Sequence, residues 1–279
     1  MEAIKMNTNE LFNKAIDLRC KLFDISLKAG SGHFGGSLSS VDIMTVLYYD
    51  EMNVRPEDPE WKDRDRFVMS KGHALLALAG VLQDKGYFTE EFTDNYNGYE
   101  SAFGMHPNMH YIPGVDMSTG SLGHGLSVSV GMALAGKLDN ADWRVYTLIG
   151  DGECNEGMIW EAAMSAGHFK LDNICAIVDR NKLSLDGPTE DIMAIEPFAD
   201  KWRDFGWNVM EVDGHDIDAL RNAFAEAKKC KGKPSVIIAH TIKGKGADFM
   251  ENETNWHYGG LDNATVERLK EELNKQRRS

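Results

Sequence analysis

From residue 8 to residue 29 the apolar positions Leu11, Ala15, Leu18, Leu22, Ile25 and Leu27 recur near helical spacing. That period predicts an amphipathic helix, ended by Gly30-Ser31-Gly32. Ser39 or Ser40 is expected to cap the next helix, which runs to about Tyr49. The apolar run RFVMS (66–70) reads as a short strand leading through Lys71-Gly72-His73 into an Ala/Leu-rich helix that ends near Gly86. Residues 96–124 carry glycines and histidines with neither period. They read as a long loop, and loops of that length in compact units are usually functional. After a helix at 125–138 the alternation becomes regular, with strand 143–149, helix 157–169, strand 174–179 and a loop. A helix near 198–205, strand 207–212, helix 216–229, strand 235–240 and a charged helix at 263–277 complete the chain.

Strands alternating with helices in this way predict an α/β fold, a mainly parallel sheet with helices on both faces. No repeat, low-complexity linker or proline-rich hinge divides the chain, so residues 1–279 are expected to form one domain. Ligands bind such sheets outside the carboxyl ends of the strands. That rule predicts Asp151, Asn181 and the loop after His240 on one rim.

Composition changes this picture in two respects. The formal net charge of −14 argues against nucleic acid or an anionic membrane as the main partner. A phosphate ligand would therefore need local help from a metal, helix N-termini and histidines. Cys20, Cys154, Cys175 and Cys230 are widely spaced and form no CxxC pair, which predicts reduced thiols, with no disulfide frame or zinc site. No segment approaches the ~20 apolar residues that span a bilayer, and no signal-peptide pattern opens the chain. The expected location is cytoplasmic.

The chemistry concentrates at a few turns. Gly150-Asp151-Gly152 follows a strand, and Asn181 stands thirty residues after Asp151, at the end of the next strand. Glycine on both sides lets the backbone turn and approach a ligand, and the helix beginning near Gly157 offers free N–H groups to an anion. Two hard oxygens from neighbouring strand ends, with a backbone carbonyl just beyond, suit a magnesium diphosphate, because magnesium takes few protein ligands. Alone, Gly-Asp-Gly is an ordinary turn; its spacing to Asn181 and the histidines favour a site. His33, His73 and His124 each follow glycine, and His106 and His257 lie in glycine-bearing loops. Imidazoles there can donate to phosphate and sugar oxygens without a permanent cationic patch. His110, His168, His215 and His240 read as structural or surface histidines. Lys243-Gly244-Lys245-Gly246 reads either as a solvated loop or as a flap over a phosphate-bearing ligand. Glu156 and Glu161, near a helix start, can simply complement its dipole. No P-loop, GxSxG elbow, strand-borne GxGxxG or HExxH pattern is present, which disfavours P-loop kinases, hydrolases, dinucleotide oxidoreductases and zincins.

SGHFGGSLSSVDIM (31–44), SKGHA (70–74), GMHP (104–107), TGSLGHGLSVSVG (119–131), the GDG-to-Asn181 interval and IKGKG…WHYGG together resemble the transketolase family of thiamine diphosphate enzymes. The likeness spans nearly the whole chain and is to the N-terminal, diphosphate-binding half. It implies a thiamine diphosphate-binding fold. Asp151, the Asn181 side chain and the Leu183 carbonyl would hold Mg2+, with Ca2+ or Mn2+ as substitutes. Gly152 would lie against the diphosphate, His73 and His257 would contact its phosphates, and Gly120, Leu122 and Gly123 would lie near the diphosphate and aminopyrimidine. His33, His106 and His257, with His73, are the catalytic candidates, hydrogen-bonding the donor's hydroxyls and carbonyl. Glu156 and Glu161 would belong to a network joining two cofactor sites across a dimer.

The implied activity is reversible transfer of a two-carbon ketol unit from a ketose phosphate to an aldose phosphate, as in the pentose phosphate pathway. The family's activating glutamate and phosphate-gripping arginines lie in a pyrimidine-binding domain for which a chain ending at Ser279 leaves no room. A C-terminal transketolase subunit carrying that domain is therefore the expected partner, in an α2β2 assembly. Competing readings are a transketolase for a specialised sugar, a 1-deoxyxylulose 5-phosphate synthase-like enzyme, the α-subunit of a 2-oxoacid dehydrogenase, and, from another class, a non-catalytic thiamine diphosphate-binding regulatory module.

Overall fold

The computed structural model describes residues 5–279. Helix α1 (Thr8–Ala29) starts where Asn7 and Glu10 cap each other, with Glu10 N donating to Asn7 Oδ1 (3.0 Å) and Asn7 N to Glu10 Oε2 (2.7 Å). It ends at Gly30, whose left-handed backbone terminates the helix. Leu11, Ala15, Leu18, Leu22 and Ile25 form its buried face, as their spacing predicts. Helix α2 (Phe34–Val46) is buried on every side and runs on into a wider turn at Leu47–Glu51.

The expected serine cap of α2 is not there. The helix begins at Phe34, and Ser39 and Ser40 lie inside it. Ser39 Oγ donates to Asp179 Oδ2 (2.6 Å) and Ser40 Oγ to the Gly36 carbonyl (2.7 Å). A helix enclosed on all sides has to satisfy its hydroxyls inward, so the serines that look like caps instead tie the helix to the sheet.

Strands β1 (Arg66–Met69), β2 (Val145–Gly150), β3 (Ile174–Arg180), β4 (Asn208–Asp213) and β5 (Ser235–His240) form one sheet in the order β1-β2-β3-β5-β4. Every pairing is parallel. Strand β2 starts and ends slightly later than the apolar run predicts, because Trp143 and Arg144 precede the first paired residue, Val145. Parallel strands need crossovers, supplied by α3 (Leu75–Lys85), α4 (His124–Leu138), α5 (Gly157–His168), a short α6 (Thr189–Met193), α7 (Phe198–Asp204) and α8 (Ile217–Lys229); α9 (Asn263–Asn274) closes the chain against α1.

Strand β3 is buried along its whole length. Its Cys175 and Ile177 enter the core shared with α1, α2, α3 and α8, while Ile174, Ala176 and Val178 enter the one shared with α4, α5 and α7. A strand covered on both faces reads as a continuous apolar run, which is why its sequence lacks alternation. All four cysteines are free. Among the described residues no helix is long and apolar enough to cross a membrane.

Candidate functional site

The register of the sheet brings the sequence candidates together. Gly150 pairs with Asp179, and Arg180 with His240, so the turns after β2, β3 and β5 leave the sheet side by side. Together with the Lys71–His73 turn after β1 and His257 they enclose a cavity of about 330 Å³. Gly152, Asp151, Asn181, Leu183, Leu122, His73 and His257 all line it.

Asp151 is buried and oriented by the backbone. Its Oδ1 accepts from Gly152 N (2.8 Å); its Oδ2 accepts from Lys182 N (2.6 Å) and Arg180 Nη1 (3.2 Å). Burial, then the charge of Asp179, raise its pKa, partly offset by these donors. Asn181 Oδ1 accepts from Leu183 N (3.1 Å), which orients the amide in the turn after β3. Among the described residues no three His, Cys, Asp or Glu side chains converge as a metal cluster. An Asp, an amide and a carbonyl are a hard-oxygen set suited to magnesium completed by phosphate and water.

Nothing in the local sequence marks Glu153, yet it ties three turns together. The buried carboxylate accepts from Gly123 N (2.9 Å), Gly150 N (3.0 Å) and the Ser70 hydroxyl. Burial raises its pKa and the three donors pull it down. Gly123 adopts a left-handed backbone, and an added Cβ would meet Glu156 Cβ at 2.8 Å, so a side chain there would displace the turn.

Two lysines supply the positive charge. Lys71 is buried against Asp179, to which its ammonium donates, and also reaches the Gly36 carbonyl (3.0 Å). Asp179 accepts from Thr241 and Ser39 as well; burial raises its pKa, but the Lys71 charge and the hydrogen bonds from Lys71, Ser39 and Thr241 together lower it. Lys243 is equally buried and donates to the carbonyls of Ser184 (2.7 Å) and Leu183 (3.4 Å). Burial, then the neighbouring Lys71 charge, push its pKa down to about 8. The two lysines belong to the SKGHA and IKGKG segments. Nothing in the local pattern distinguishes a lysine turned into a cleft from a solvated one.

Of the imidazoles, His73 and His257 line the cavity and His33 packs against both. His33, His73 and His257 cluster with ring centroids 5.7 Å (His33–His73), 5.5 Å (His33–His257) and 5.1 Å (His73–His257) apart. Burial lowers all three, His33 and His257 to about 4, with repulsion from His106 acting on His33 and from Lys243 on His257. His73 is pushed well below its ordinary value by burial and by Lys71. These rings are neutral at pH 7, each able to donate and accept one hydrogen bond. His106 is more exposed and lies against Gly120, where an added Cβ would meet its ring at 2.9 Å; burial lowers its pKa too.

Two observations test whether a phosphate-bearing group fits. His257 Nδ1 is buried without a hydrogen-bond partner, an orphan that a ligand oxygen would satisfy. Gly36 leaves open the space beside His73 Nε2 and Lys71 Nζ, which an added Cβ would approach at 3.2 and 3.3 Å. The residues present fit such a group. Glu156 and Glu161 are not brought into the cavity: Glu156 precedes α5 and Glu161 lies on it, both exposed.

A family model described as "Transketolase, thiamine diphosphate binding domain" matches residues 12–278. One subunit of the apulose-4-phosphate transketolase of Phocaeicola vulgatus is 46% identical over 241 residues, covering 86% of this chain and 85% of that one. A 6-deoxy-6-sulfo-D-fructose transketolase subunit of Clostridium sp. (strain MSTE9) is 48% identical over 230 residues, 82% of this chain and 84% of its own length. The crystal structure of transketolase from Campylobacter jejuni superposes with a TM-score of 0.91 at 35% identity, over 96% of this chain and 43% of that one. Transketolase from Leishmania mexicana gives 0.89 at 31%, over 97% and 42%. The chain thus spans about two fifths of the length of these solved transketolases.

Proposed function

This chain belongs to the transketolase family through its thiamine diphosphate-binding domain, and from that premise we propose that it is the cofactor-binding subunit of a two-chain transketolase. The observation that carries this reading is one cavity at the strand ends lined both by the hard-oxygen residues Asp151, Asn181 and Leu183 and by His257, whose Nδ1 is buried without a partner. Asp151, Asn181 and the Leu183 carbonyl would hold Mg2+, with Ca2+ or Mn2+ as substitutes. Lys71, Lys243 and Gly152, with His73 and His257, would face the diphosphate, and Gly120, Leu122 and Gly123 would border the cofactor.

The chemistry thiamine diphosphate supplies when bound is stabilisation of negative charge at the donor's carbonyl carbon as the neighbouring carbon–carbon bond breaks. This chain's own contribution is binding and proton handling. Neutral His33, His106 and His257 would donate to the sugar's hydroxyls and carbonyl oxygen and take up or return their protons, work typically contributing ~10²–10⁴-fold. Residues 1–279 would act as one domain. The pyrimidine-binding domain, with the glutamate that activates the cofactor, would come from a C-terminal subunit in an α2β2 enzyme of the cytoplasm, with exposed Glu156 and Glu161 placed for a network between two sites.

A two-carbon ketol unit would pass reversibly from a ketose phosphate donor to an aldose phosphate acceptor, as in the pentose phosphate pathway. A second reading, a transketolase for a specialised sugar, is favoured by relatives named for apulose 4-phosphate and 6-deoxy-6-sulfo-D-fructose. Calorimetric titration of thiamine diphosphate into the two-chain complex, with and without magnesium, tests the site, and ketol-transfer assays across both sugar classes test the activity. Metal-independent or absent cofactor binding would refute the site. Full transfer by this chain alone would refute the two-chain reading.

A further inference from the structure

Outside the cavity lies a buried charged cluster, Arg19, Asp42 and His215, which the proposed function leaves unused. Arg19 on α1 donates from Nη1 and Nη2 to the two carboxylate oxygens of Asp42 on α2, at 3.0 and 2.7 Å. Burial alone would raise the Asp42 carboxyl, but Arg19, helped by the hydrogen bond from His215, holds it well below the usual carboxylate range. A buried pair this well matched is costly to break and gives a fixed reference point.

His215, in the turn between β4 and α8, connects that point to the β5 loop. Its Nδ1 lies 2.7 Å from Asp42 Oδ2, and its Nε2 accepts from Ile242 N at 2.8 Å. An imidazole nitrogen accepts only when it carries no proton, so the two contacts together put the ring's proton on Nδ1. Arg19 holds the same loop further on, its Nε donating to the Lys245 carbonyl at 3.2 Å. Between these two anchors stand Lys243, whose ammonium reaches the Ser184 carbonyl inside the cavity, and Gly244, whose N–H donates to the Gly35 carbonyl at 3.0 Å.

The loop needs such anchors. Gly244 and Gly246 both have positive φ, 82° and 95°, and glycine leaves many other backbone conformations open. A lysine has a flexible stem and resists burial, so Lys243 is held in the cavity only while its backbone is fixed.

We propose that His215 is a positioning residue for cofactor binding. By accepting the Ile242 N–H from a ring oriented by Asp42 and Arg19, it sets the backbone that delivers Lys243 to the diphosphate end of the cavity. This rests on the reading of the cavity as the thiamine diphosphate site.

Three variants of the full chain test it. His215→Phe fills similar volume and removes the acceptor. His215→Asn can still meet Asp42 but is too short to reach Ile242. His215→Gln can serve both contacts. Hydrogen exchange at the Ile242 amide and tryptic cleavage within 243–245 report the loop without cofactor; calorimetry and steady-state kinetics of the two-chain complex report binding.

Phe and Asn are expected to speed exchange and cleavage at least tenfold. They should also raise the cofactor Kd about tenfold, with a much smaller fall in kcat at saturating cofactor, and Gln should restore most of both. Unchanged Ile242 exchange in folded Phe or Asn, or faster exchange with unchanged cofactor affinity, would overturn the proposal. If Phe does not fold, Asn and Gln decide between the same two outcomes. If the wild-type complex binds no thiamine diphosphate, the functional reading fails while the exchange data still judge His215.

Discussion

On the β2–β3 side of the cavity the polar groups find their partners within the chain. Asp151 accepts three hydrogen bonds, Glu153 accepts three from three different turns, and Asn181 is held by Leu183 N. The histidine side is assembled from loops and helix starts, and there His257 Nδ1 has no partner while burial lowers His33, His73 and His257. The difference matches what each side would bind under the proposed function. Hard oxygens must be oriented beforehand to strip water from a small cation. Imidazoles that exchange protons with a passing substrate must stay neutral and unsatisfied until it arrives.

Breaking the oxygen wall should have the largest effect. Asp151→Ala is expected to weaken magnesium-dependent thiamine diphosphate binding by about 100-fold or more in the two-chain complex, read by calorimetry. An unaltered affinity would remove the metal role. Among the histidines, His106→Ala should lower kcat/KM for the ketose donor by roughly 10- to 100-fold and leave the cofactor Kd near its wild-type value. Equal losses in both would merge the two sides into one cofactor site. Lys243→Met probes the boundary between them, and a roughly tenfold rise in cofactor Kd is expected for one charged contact; a change confined to kcat would move Lys243 from binding to catalysis.

Acid should act on the two sides in opposite senses, since burial lowers the pKa of the histidines but raises that of Asp151 and Glu153. His33 and His257 titrate near 4 in the folded chain and near 6.5 when unfolded. Between those values the unfolded chain binds more protons, so stability falls as pH drops from about 6.5 towards 4, by at most about 1.4 kcal/mol per pH unit for each histidine. Denaturant titrations of wild type and His257→Asn at pH 7 and 5 would show it, the variant losing less between the two. An equal loss would mean that His257 is not held neutral by burial. The smallest effect is expected at Glu161, exposed on α5. Glu161→Ala should change the chain's own unfolding free energy by about 0.5 kcal/mol or less; a larger loss would place Glu161 in this chain's own fold.

Much of this was legible without coordinates. The 3.6-residue period of α1, the Gly30 stop and the run of β3 follow from local chemistry, and element bounds shift only where flanking residues such as Trp143 and Arg144 lie just outside the ladder. Asp151, Asn181 and His73 stand just past strand ends, where a parallel sheet gathers its ligand groups. Ser39 and Ser40 misled because a cap and an inward hydroxyl carry the same residue type. Glu153, Lys71 and Lys243 were invisible as a set, since their significance lies in partners far along the chain, such as Glu153 with Gly123 and Lys71 with Asp179. His215 looked ordinary for the same reason: its two partners, Asp42 and Ile242, come from other elements.

By itself, then, the sequence determined which residues could do chemistry and at which strand ends they would stand, because periodicity and glycine placement act over a few residues. Only the tertiary structure decided which of them face one another, which charges are buried, and which imidazole nitrogens carry the proton. Those properties depend on solvent exclusion and on contacts between elements dozens to hundreds of residues apart, and no local pattern encodes them.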